Sequence, residues 1–265
     1  MPALLSSRSN QVVKQIRSLR LKKGRDETGM FLVEGIHPVG EAVEAGWHLL
    51  TLVYSPDLLG SDYAYRLLEE QTRQGVNCVP LVPGLFTSIA GKDNPQGILA
   101  VVRQQHVGLK DVDPSKFSFG VAVLSPQDPG NVGTILRTLD AVGADGLFLL
   151  DGGVDLFHPS VVRASMGTLF WKPVVQSTFE EFFDLKRKNG FQLVGSSAHA
   201  KVDYREFQRG MTPTLLLLGN EQKGLSPQQM AACDVVVSMP MKGRVSSLNL
   251  AVATGILLYQ MREIK

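Results

Sequence analysis

Three loops of the sequence combine polar or charged residues with glycines in a pattern that could carry chemistry. In the first, QDPGNVGTILRTLDAVGAD, Asn131 and Gly133 follow a Pro-Gly turn and Arg137 lies on an amphipathic helix. Glycine in a first helical turn allows close approach of a ligand, and an arginine off the apolar stripe is free to bind a phosphate. Asn131 is predicted to cap the helix. The alternative is an ordinary strand–helix unit with a surface arginine.

The second loop, LLLLGNEQKGLS, places a charged residue directly at the end of an apolar strand. The strand ends at Gly219, and Asn220 and Glu221 follow at once. Gly224 then permits a tight backbone before a Ser-Pro pair begins the next helix. A charged residue between two glycines at a strand end is typical of a functional site, and an ordinary loop is the alternative.

The third loop, SMPMKGRVSSLNLAVATG, is basic and leads into the last helix. A strand ends at Met239, a Lys-Gly-Arg segment follows, and Ser246, Ser247 and Asn249 open the helix. Free N–H groups at a helix N-terminus bind negative or polar ligand atoms. Capping by one of the two serines is the alternative, but it leaves the basic segment unexplained.

The predicted strands and helices explain how the three loops could meet. From residue 119 onward, apolar runs of strand length alternate with amphipathic helices, and a long helix is predicted over SSLNLAVATGILLYQMREI. Uninterrupted apolar strands indicate a parallel sheet covered on both faces. Ligands bind beyond the carboxyl ends of the strands in such sheets, and all three loops fall at such ends.

The rest of the chain predicts a second, smaller α/β domain. Up to residue 105, strands such as MFLVEG and HLLTLVYSP alternate with helices such as HPVGEAVEAG. The polar segment 106–118 lacks periodicity and is predicted to be a linker to the larger domain, residues 119–265.

The first 25 residues carry seven cations and no acid, which suits a polyanion such as nucleic acid. Val12, Ile16 and Leu19 have helical spacing, so this segment can dock by an apolar stripe and point its cations outward. The predicted RNA contacts are Lys14, Arg17 and Arg20. A solvated helix face is the alternative.

The composition excludes several classes of protein. The 265 residues carry a formal net charge of +2, and no apolar run approaches the roughly 20 residues that a membrane-spanning helix needs. No export signal is apparent, so we expect a cytoplasmic protein. Cys78 and Cys233 have no metal-binding or redox spacing, so we expect free thiols and no metal site.

The three loops together resemble the three motifs of the SpoU/TrmH family of RNA ribose methyltransferases, in the SPOUT superfamily. The resemblance covers residues 121–259 and is carried by NVGTILRTLDAVGAD, LGNEQKGLS and PMKGRVSSLNLAVATGILLY. HPSVVRASMGTLF also resembles a family segment, and the first block resembles, more loosely, the family's α/β substrate-binding domain. Gln222, Met239 and Leu250 depart from the family's usual glycine, isoleucine and valine, in the wall of the cofactor pocket.

This resemblance implies a fold and a reaction. It implies a parallel-sheet domain closed by a deep trefoil knot, an exception to the rule that chains are unknotted. It implies methyl transfer from S-adenosylmethionine to a ribose 2′-hydroxyl in structured RNA, by a homodimer whose active sites are completed near the subunit interface. Ribosomal RNA is favoured over transfer RNA because the two-domain layout resembles the ribosomal members; housekeeping and antibiotic-resistance roles are both open.

The resemblance also assigns roles to residues. The cofactor would be held, mostly through backbone groups, by Gly219, Asn220, Met239 and Leu248. Arg163, in VVRASMG, is a further candidate for RNA contact, with a plain surface arginine as the alternative.

The predicted catalytic residues come from all three motifs. Arg137 would face the target ribose and its phosphate, while Asn131 fixes the neighbouring loop. Glu221 would hold Arg137 or that loop, and Ser247 and Asn249 would donate or accept hydrogen bonds across the site. An arginine hardly ever loses its proton, so whether Arg137 acts as a base or only orients the nucleophile and stabilises alkoxide charge is open.

Two other classes of protein fit parts of the sequence. A non-enzymatic RNA-binding protein would explain the basic N-terminal segment but not the second and third loops. A nicotinamide-dependent oxidoreductase requires a GxGxxG fingerprint, which GNVGTI does not supply. Binding of S-adenosylmethionine distinguishes the methyltransferase from both.

Overall fold

The computed structural model describes residues 4–262, which form two compact units. The first unit contains the residues up to Gln105 together with Asp155–Trp171, and the second contains His106–Val154 and the residues from Lys172 onward. The segment HPSVVRASMGTLF, which lies in the second block of the sequence, therefore belongs structurally to the first unit. No helix within residues 4–262 is long and apolar enough to cross a membrane.

The first unit is built on a four-stranded mixed sheet. Its strands, in the spatial order β1-β4-β2-β3, are β1 Met30–Glu34, β2 Leu49–Tyr54, β3 Asn77–Pro80 and β4 Ile98–Arg103. Strand β4 runs antiparallel to both neighbours, whereas β2 and β3 are parallel. The helices that precede or connect these strands are α1 Gln11–Leu19, α2 Lys22–Thr28, α3 Ile36–Glu44, α4 Asp62–Arg73 and α5 Pro83–Ile89.

The basic N-terminal segment forms two helices rather than one. Asn10 caps α1 by accepting the N–H of Val12, and the apolar stripe buries Val13, Ile16 and Leu19 in the core of the first unit. Val12, which the helical spacing had placed in this stripe, is only half-buried. The α1 helix ends at Leu19, and α2 follows after a short break.

The second unit is a seven-stranded sheet in which all neighbouring strands are parallel. The spatial order is β7-β6-β5-β10-β8-β11-β9. In chain order the strands are β5 Phe119–Leu124, β6 Gly146–Leu150, β7 Val174–Ser177, β8 Gln192–Ser196, β9 Val202–Asp203, β10 Thr214–Leu218 and β11 Val235–Ser238. The parallel sheet predicted from the sequence is confirmed. Two short strands, β7 and the two-residue edge strand β9, were not predicted. The knot stays a prediction.

The remaining helices are α6 Pro129–Ala141, α7 Pro159–Ala164 in the first unit, α8 Phe179–Asn189, α9 Pro227–Ala232 and α10 Leu250–Met261. The last helix begins later than the sequence predicted, because the chain before Leu250 is an extended loop.

The core explains why the strands of the second unit read as uninterrupted apolar runs. Every residue of β5, β6 and β10 is buried, since helices or loops cover both faces of the sheet. On one face, Phe148, Phe182 and Phe191 are part of an aromatic and aliphatic cluster. The packed sheet fixes its carboxyl edge, where the three polar loops emerge.

Candidate active site

The start of α6 differs from the sequence prediction. Asp128 is the N-cap and accepts the N–H of Gly130 at 2.6 Å, with Pro129 at the first helical position. Asn131 therefore does not cap the helix; it lies within the first turn with only 9% of its surface exposed. A proline and an aspartate together satisfy the helix start, which leaves the amide of Asn131 free for other contacts.

The amide of Asn131 links α6 to the two other polar loops. Its Oδ1 accepts a hydrogen bond from Asn249 Nδ2 at 2.9 Å, and its Nδ2 donates to Glu221 Oε1 at 3.4 Å. Three side chains separated by 90 and 118 positions along the chain are thereby joined in one polar chain. The structure thus brings together three of the five residues predicted to be catalytic.

Glu221 holds the loop before α6. Its carboxylate accepts the backbone N–H of Gln127 at 3.2 and 3.1 Å and that of Asp128 at 3.4 Å. Hydrogen bonds to a carboxylate are stronger than those between neutral groups, so this one side chain ties the loop after β10 to the first motif. Of the two roles predicted for Glu221, holding the loop matches these contacts.

Asn249 is the N-cap of α10, and the alternative of capping by Ser246 or Ser247 is excluded. Its Oδ1 accepts the N–H of Ala251 at 2.9 Å and of Val252 at 3.3 Å. The Asn249 side chain thus uses its oxygen for the helix and its NH₂ group for Asn131. The hydroxyl of Ser247 has no hydrogen-bond partner within residues 4–262, which leaves it available to a ligand.

The loop after β10 is a tight turn that tolerates no side chain at its first residue. Asn220 donates through Nδ2 to the carbonyl of Ser125 at 2.8 Å, and its backbone carbonyl accepts the N–H of Gly224 at 2.9 Å. A Cβ at Gly219 would collide with the backbone of Gly224. Gly224 itself has a φ of 65°, in the left-handed region.

A cavity of about 690 Å³ opens where these loops meet. All the residues predicted to bind the cofactor line it, and so do four of those predicted to be catalytic: Gly219, Asn220, Met239 and Leu248, and Asn131, Glu221, Ser247 and Asn249. Its volume is in the range of small-molecule and cofactor sites, about 300–1,000 Å³.

The lining of this cavity suits S-adenosylmethionine. Apolar side chains such as Leu218, Met239 and Ala253 offer a surface for the flat adenine. Within the described chain, residues 240–248 use none of their backbone N–H or C=O groups in hydrogen bonds. Such unpaired groups beside a cavity can pair with the polar edge of a ligand, as the predicted backbone-mediated binding of the cofactor requires.

Arg137 stands apart from this cavity. It lies on the exposed face of α6, off the buried stripe formed by Val132, Ile135, Leu136 and Leu139. It does not line the cavity, and it makes no hydrogen bond or ion pair within residues 4–262. The guanidinium is therefore available to a phosphate or to another chain, but a single copy of the second unit does not place it in the site.

The predicted RNA-binding cations of the first unit differ in availability. Lys14 is exposed and unpaired within the described residues, and Arg17 is exposed with one long bond to Ser88 Oγ at 3.4 Å. Arg20 instead pairs with Glu34 at 2.9 Å and donates to the carbonyl of Ile89 at 2.7 Å. The guanidinium of Arg20 therefore does not point outward as predicted, because it joins α1 to the rest of the unit.

A buried ion pair, which sequence reasoning missed, attaches the segment Asp155–Trp171 to the first unit. Arg25 is 1% exposed and binds Asp155 through Nε at 2.7 Å and Nη2 at 2.6 Å. Its Nη1 donates to the carbonyls of Leu19 and Arg20 at 2.8 and 3.1 Å. Arg163 lies on α7 within this segment and is exposed.

No metal-binding cluster of His, Cys, Asp or Glu occurs among the described residues. Cys78 and Cys233 are free thiols. Burial raises the pKa of Cys233 to about 11, so this thiol stays protonated and unreactive at neutral pH.

Comparison with known proteins gives this architecture a family. Residues 118–259 match the model of the SpoU rRNA methylase family, and residues 10–100 match that of the MRM3-like substrate binding domain. The chain belongs to the SpoU rRNA methylase family.

Two curated relatives and one solved structure are similar over nearly the whole chain. The 23S rRNA (uridine(2479)-2'-O)-methyltransferase of Streptomyces viridochromogenes is 36% identical over 89% of this chain and 83% of its own length. The 23S rRNA (guanosine(2553)-2'-O)-methyltransferase RlmP of Bacillus subtilis is 30% identical over 97% and 98%. The crystal structure of AdoMet-bound rRNA methyltransferase from Sinorhizobium meliloti superposes with a TM-score of 0.89, at 36% identity over 97% and 96%.

Proposed function

We propose that this protein transfers a methyl group from S-adenosylmethionine to a ribose 2′-hydroxyl of large-subunit ribosomal RNA, in the cytoplasm. The observation that carries the proposal is the cavity in which Asn249, Asn131 and Glu221 form one hydrogen-bonded chain beside Gly219, Met239 and Leu248. Both curated relatives described above are named as 2′-O-methyltransferases of 23S rRNA, which supports ribosomal RNA over transfer RNA.

The second unit would hold the cofactor and the first would bind the RNA. When bound, the cofactor supplies an activated methyl group on a sulfonium, which is a good leaving group. The chain's own task is then to seat the ribose and to stabilise negative charge on its 2′-oxygen as the hydroxyl proton leaves. Much of the rate of methyl transfer can come from correct orientation of the reactants. The hydrogen-bonded chain of Asn249, Asn131 and Glu221 would support this orientation by holding the three loops in fixed positions.

Arg137 would orient the acceptor nucleotide. A guanidinium can bind a phosphate through two parallel hydrogen bonds, which gives both position and charge. Because an arginine hardly ever loses its proton, the proposed role is charge stabilisation of the developing alkoxide rather than proton abstraction. The hydroxyl of Ser247, which has no partner in the described chain, would face the same nucleotide.

A homodimer would bring Arg137 to the cavity of the partner subunit. On α10, the apolar residues Val252, Ile256 and Tyr259 are 52%, 38% and 50% exposed and recur at the spacing of a single helix face. This stripe lies on the helix that packs against α6, the helix of Arg137. A second copy of the chain would bury the stripe, and each active site would then contain residues from both subunits.

The RNA would contact the first unit through cations that are not used internally. Lys14, Arg17 and Arg163 are exposed there, whereas Arg20 is engaged by Glu34. Contacts from lysine and arginine to phosphate fix the register of an RNA without reading its sequence.

The decisive experiment uses purified protein, tritiated S-adenosylmethionine, a large-subunit rRNA transcript and unmodified bulk tRNA. We expect label in the rRNA at a linkage that resists alkaline cleavage, since methylation removes the 2′-hydroxyl that attacks the phosphodiester. Label in tRNA alone would show that the substrate is transfer RNA rather than ribosomal RNA. Absence of label from both RNAs, with no S-adenosylmethionine binding by calorimetry, would overturn the proposal in favour of a non-enzymatic RNA-binding protein.

A further inference from the structure

A second cavity lies beside the first and has no role in the reaction described so far. It has a volume of about 460 Å³ and belongs entirely to the second unit. Its walls are the ends of β5 and β6, the loop after β10 and the start of α9. Asn220, Gln222, Lys223 and Gly224 line both cavities, so a group held in the second cavity is separated from the first by a single turn of chain.

The floor of this cavity is held in a strained conformation. Ser125 and Asp151 directly follow β5 and β6, and both have positive φ values, 40° and 56°, although neither is glycine. Non-glycine residues in the left-handed region are uncommon and cluster at functional sites. Ser125 N–H donates to the Leu150 carbonyl at 2.8 Å, and its Oγ donates to the Asp151 carbonyl at 3.2 Å, so the two strained residues fix each other.

The cavity is lined by polar side chains that leave at least part of their hydrogen-bonding capacity unused. Gln127 donates through Nε2 to the Ser125 carbonyl at 2.8 Å, which orients its Oε1 as a free acceptor. Within residues 4–262, the side-chain amide of Gln222 and the ammonium of Lys223 form no hydrogen bond or ion pair. The carboxylate of Asp151 uses Oδ1 to accept the N–H of Phe179 at 2.8 Å. The lining of the second cavity therefore offers both hydrogen-bond donors and hydrogen-bond acceptors to a ligand.

We propose that this second cavity binds one unpaired nucleobase of the RNA, beside the ribose that is methylated, and that Gln127 and Gln222 determine which base is accepted. The proposal rests on the proposed function and names a specificity site for it. Glutamine amides both donate and accept, as the Watson–Crick edge of a base requires. The opposite charges of Asp151 and Lys223 make the cavity a poor site for a bare polyphosphate, whereas a neutral base with polar edges matches it.

The test compares two variants with a matched control in initial-rate kinetics on the rRNA transcript. Gln127→Ala keeps the backbone N–H that Glu221 accepts, and Gln222→Ala removes the free amide. We expect each to raise KM for the RNA about tenfold, the scale of one lost base contact. Gln127 does not line the cofactor cavity, so Gln127→Ala should change Kd for S-adenosylmethionine by less than about twofold. Gln176→Ala, at an exposed site of the same unit that lines neither cavity, should leave both constants unchanged.

A second measurement tests the cavity without catalysis. The wild-type protein is photocrosslinked to a transcript containing 4-thiouridine or 6-thioguanosine, and the crosslinked peptides are mapped by mass spectrometry. Crosslinks in residues 125–127 or 222–229 support the proposal. Wild-type KM for RNA in both variants, or crosslinks confined to the first unit, would overturn it. An inactive wild-type protein would instead contradict the proposed function, and the crosslinking would still decide whether the cavity binds a base.

Discussion

Asn249 donates its side-chain amide to Asn131 at 2.9 Å, and in doing so joins the cap of the last helix to the first turn of α6. Asn131 in turn donates to Glu221. Each asparagine acts here as donor and acceptor at once, which a carboxylate or an aliphatic side chain cannot do. The relationship makes the three motifs one structural unit rather than three neighbouring loops.

The first prediction concerns this polar chain. Asn131→Asp replaces the donor to Glu221 with a second carboxylate, so a hydrogen bond becomes a repulsion between like charges. We expect the free energy of unfolding to fall by about 1–3 kcal/mol, measured by urea denaturation, and methyl transfer to fall by more than about tenfold because the loops lose their register. Asn189→Ala, an exposed asparagine at the end of α8, serves as the control. A variant with wild-type transfer would contradict the role of the chain.

The positions of the three loops could be predicted from the sequence because they depend on periodic patterns. Uninterrupted apolar strands predicted a parallel sheet. In a parallel sheet the carboxyl ends of all strands lie at one edge, so the loops that follow the strands lie there together. The contact between Asn131 and Asn249 is not periodic. Asn131 was predicted to be a helix cap because asparagine favours that position. Asp128 takes the cap instead, and its local signal is the proline that follows it at the first helical position.

Ion pairs between residues far apart in the sequence could not be predicted either, because they follow no periodic pattern. Arg25 was counted among the cations of a basic segment, yet it is buried against Asp155, 130 positions away. The same pair places Asp155–Trp171 in the first unit, which the order of strands and helices along the chain does not reveal.

The second prediction tests that buried pair. Asp155→Ala leaves the Arg25 guanidinium buried without its counter-charge, and we expect the free energy of unfolding to fall by about 3–5 kcal/mol. The double variant Arg25→Met, Asp155→Ala should recover part of this loss, since no unpaired charge stays buried. Asp26→Ala, at the exposed neighbouring position of α2, should change stability by less than about 0.5 kcal/mol. Equal effects of the two aspartate variants in urea denaturation would refute the assignment.

The third prediction concerns the turn after β10. Gly219→Ala introduces a Cβ where the backbone of Gly224 lies, so the turn must open. We expect a loss of about 1–3 kcal/mol in the free energy of unfolding and weaker binding of S-adenosylmethionine in calorimetry. Gly210→Ala, in the same unit with open space around its Cα, should preserve both. Tight cofactor binding by Gly219→Ala would show that the turn does not shape the cavity.

The fourth prediction separates chemistry from cofactor binding. Arg137 is exposed and lies outside the cavity, so Arg137→Ala should leave Kd for S-adenosylmethionine unchanged while lowering kcat/KM for RNA by about 100-fold or more. Arg137→Lys keeps the charge but not the two-pronged geometry, and an intermediate rate is expected. If Arg137→Ala also loses cofactor binding, the arginine has a structural role instead.

The fifth prediction addresses the exposed stripe of α10. Ile256→Glu places a charge in the apolar face that a second copy would cover, so the variant should sediment as a monomer and lose activity. Met211→Glu, at a fully exposed residue of the same unit, should sediment like the wild-type protein. Asn249→Ala removes the bond to Asn131 and, like Arg137→Ala, should have little activity. Mixing the two variants should restore activity, because a mixed dimer then has one site with an intact cavity and the partner's arginine. No recovery on mixing would show that Arg137 serves its own subunit.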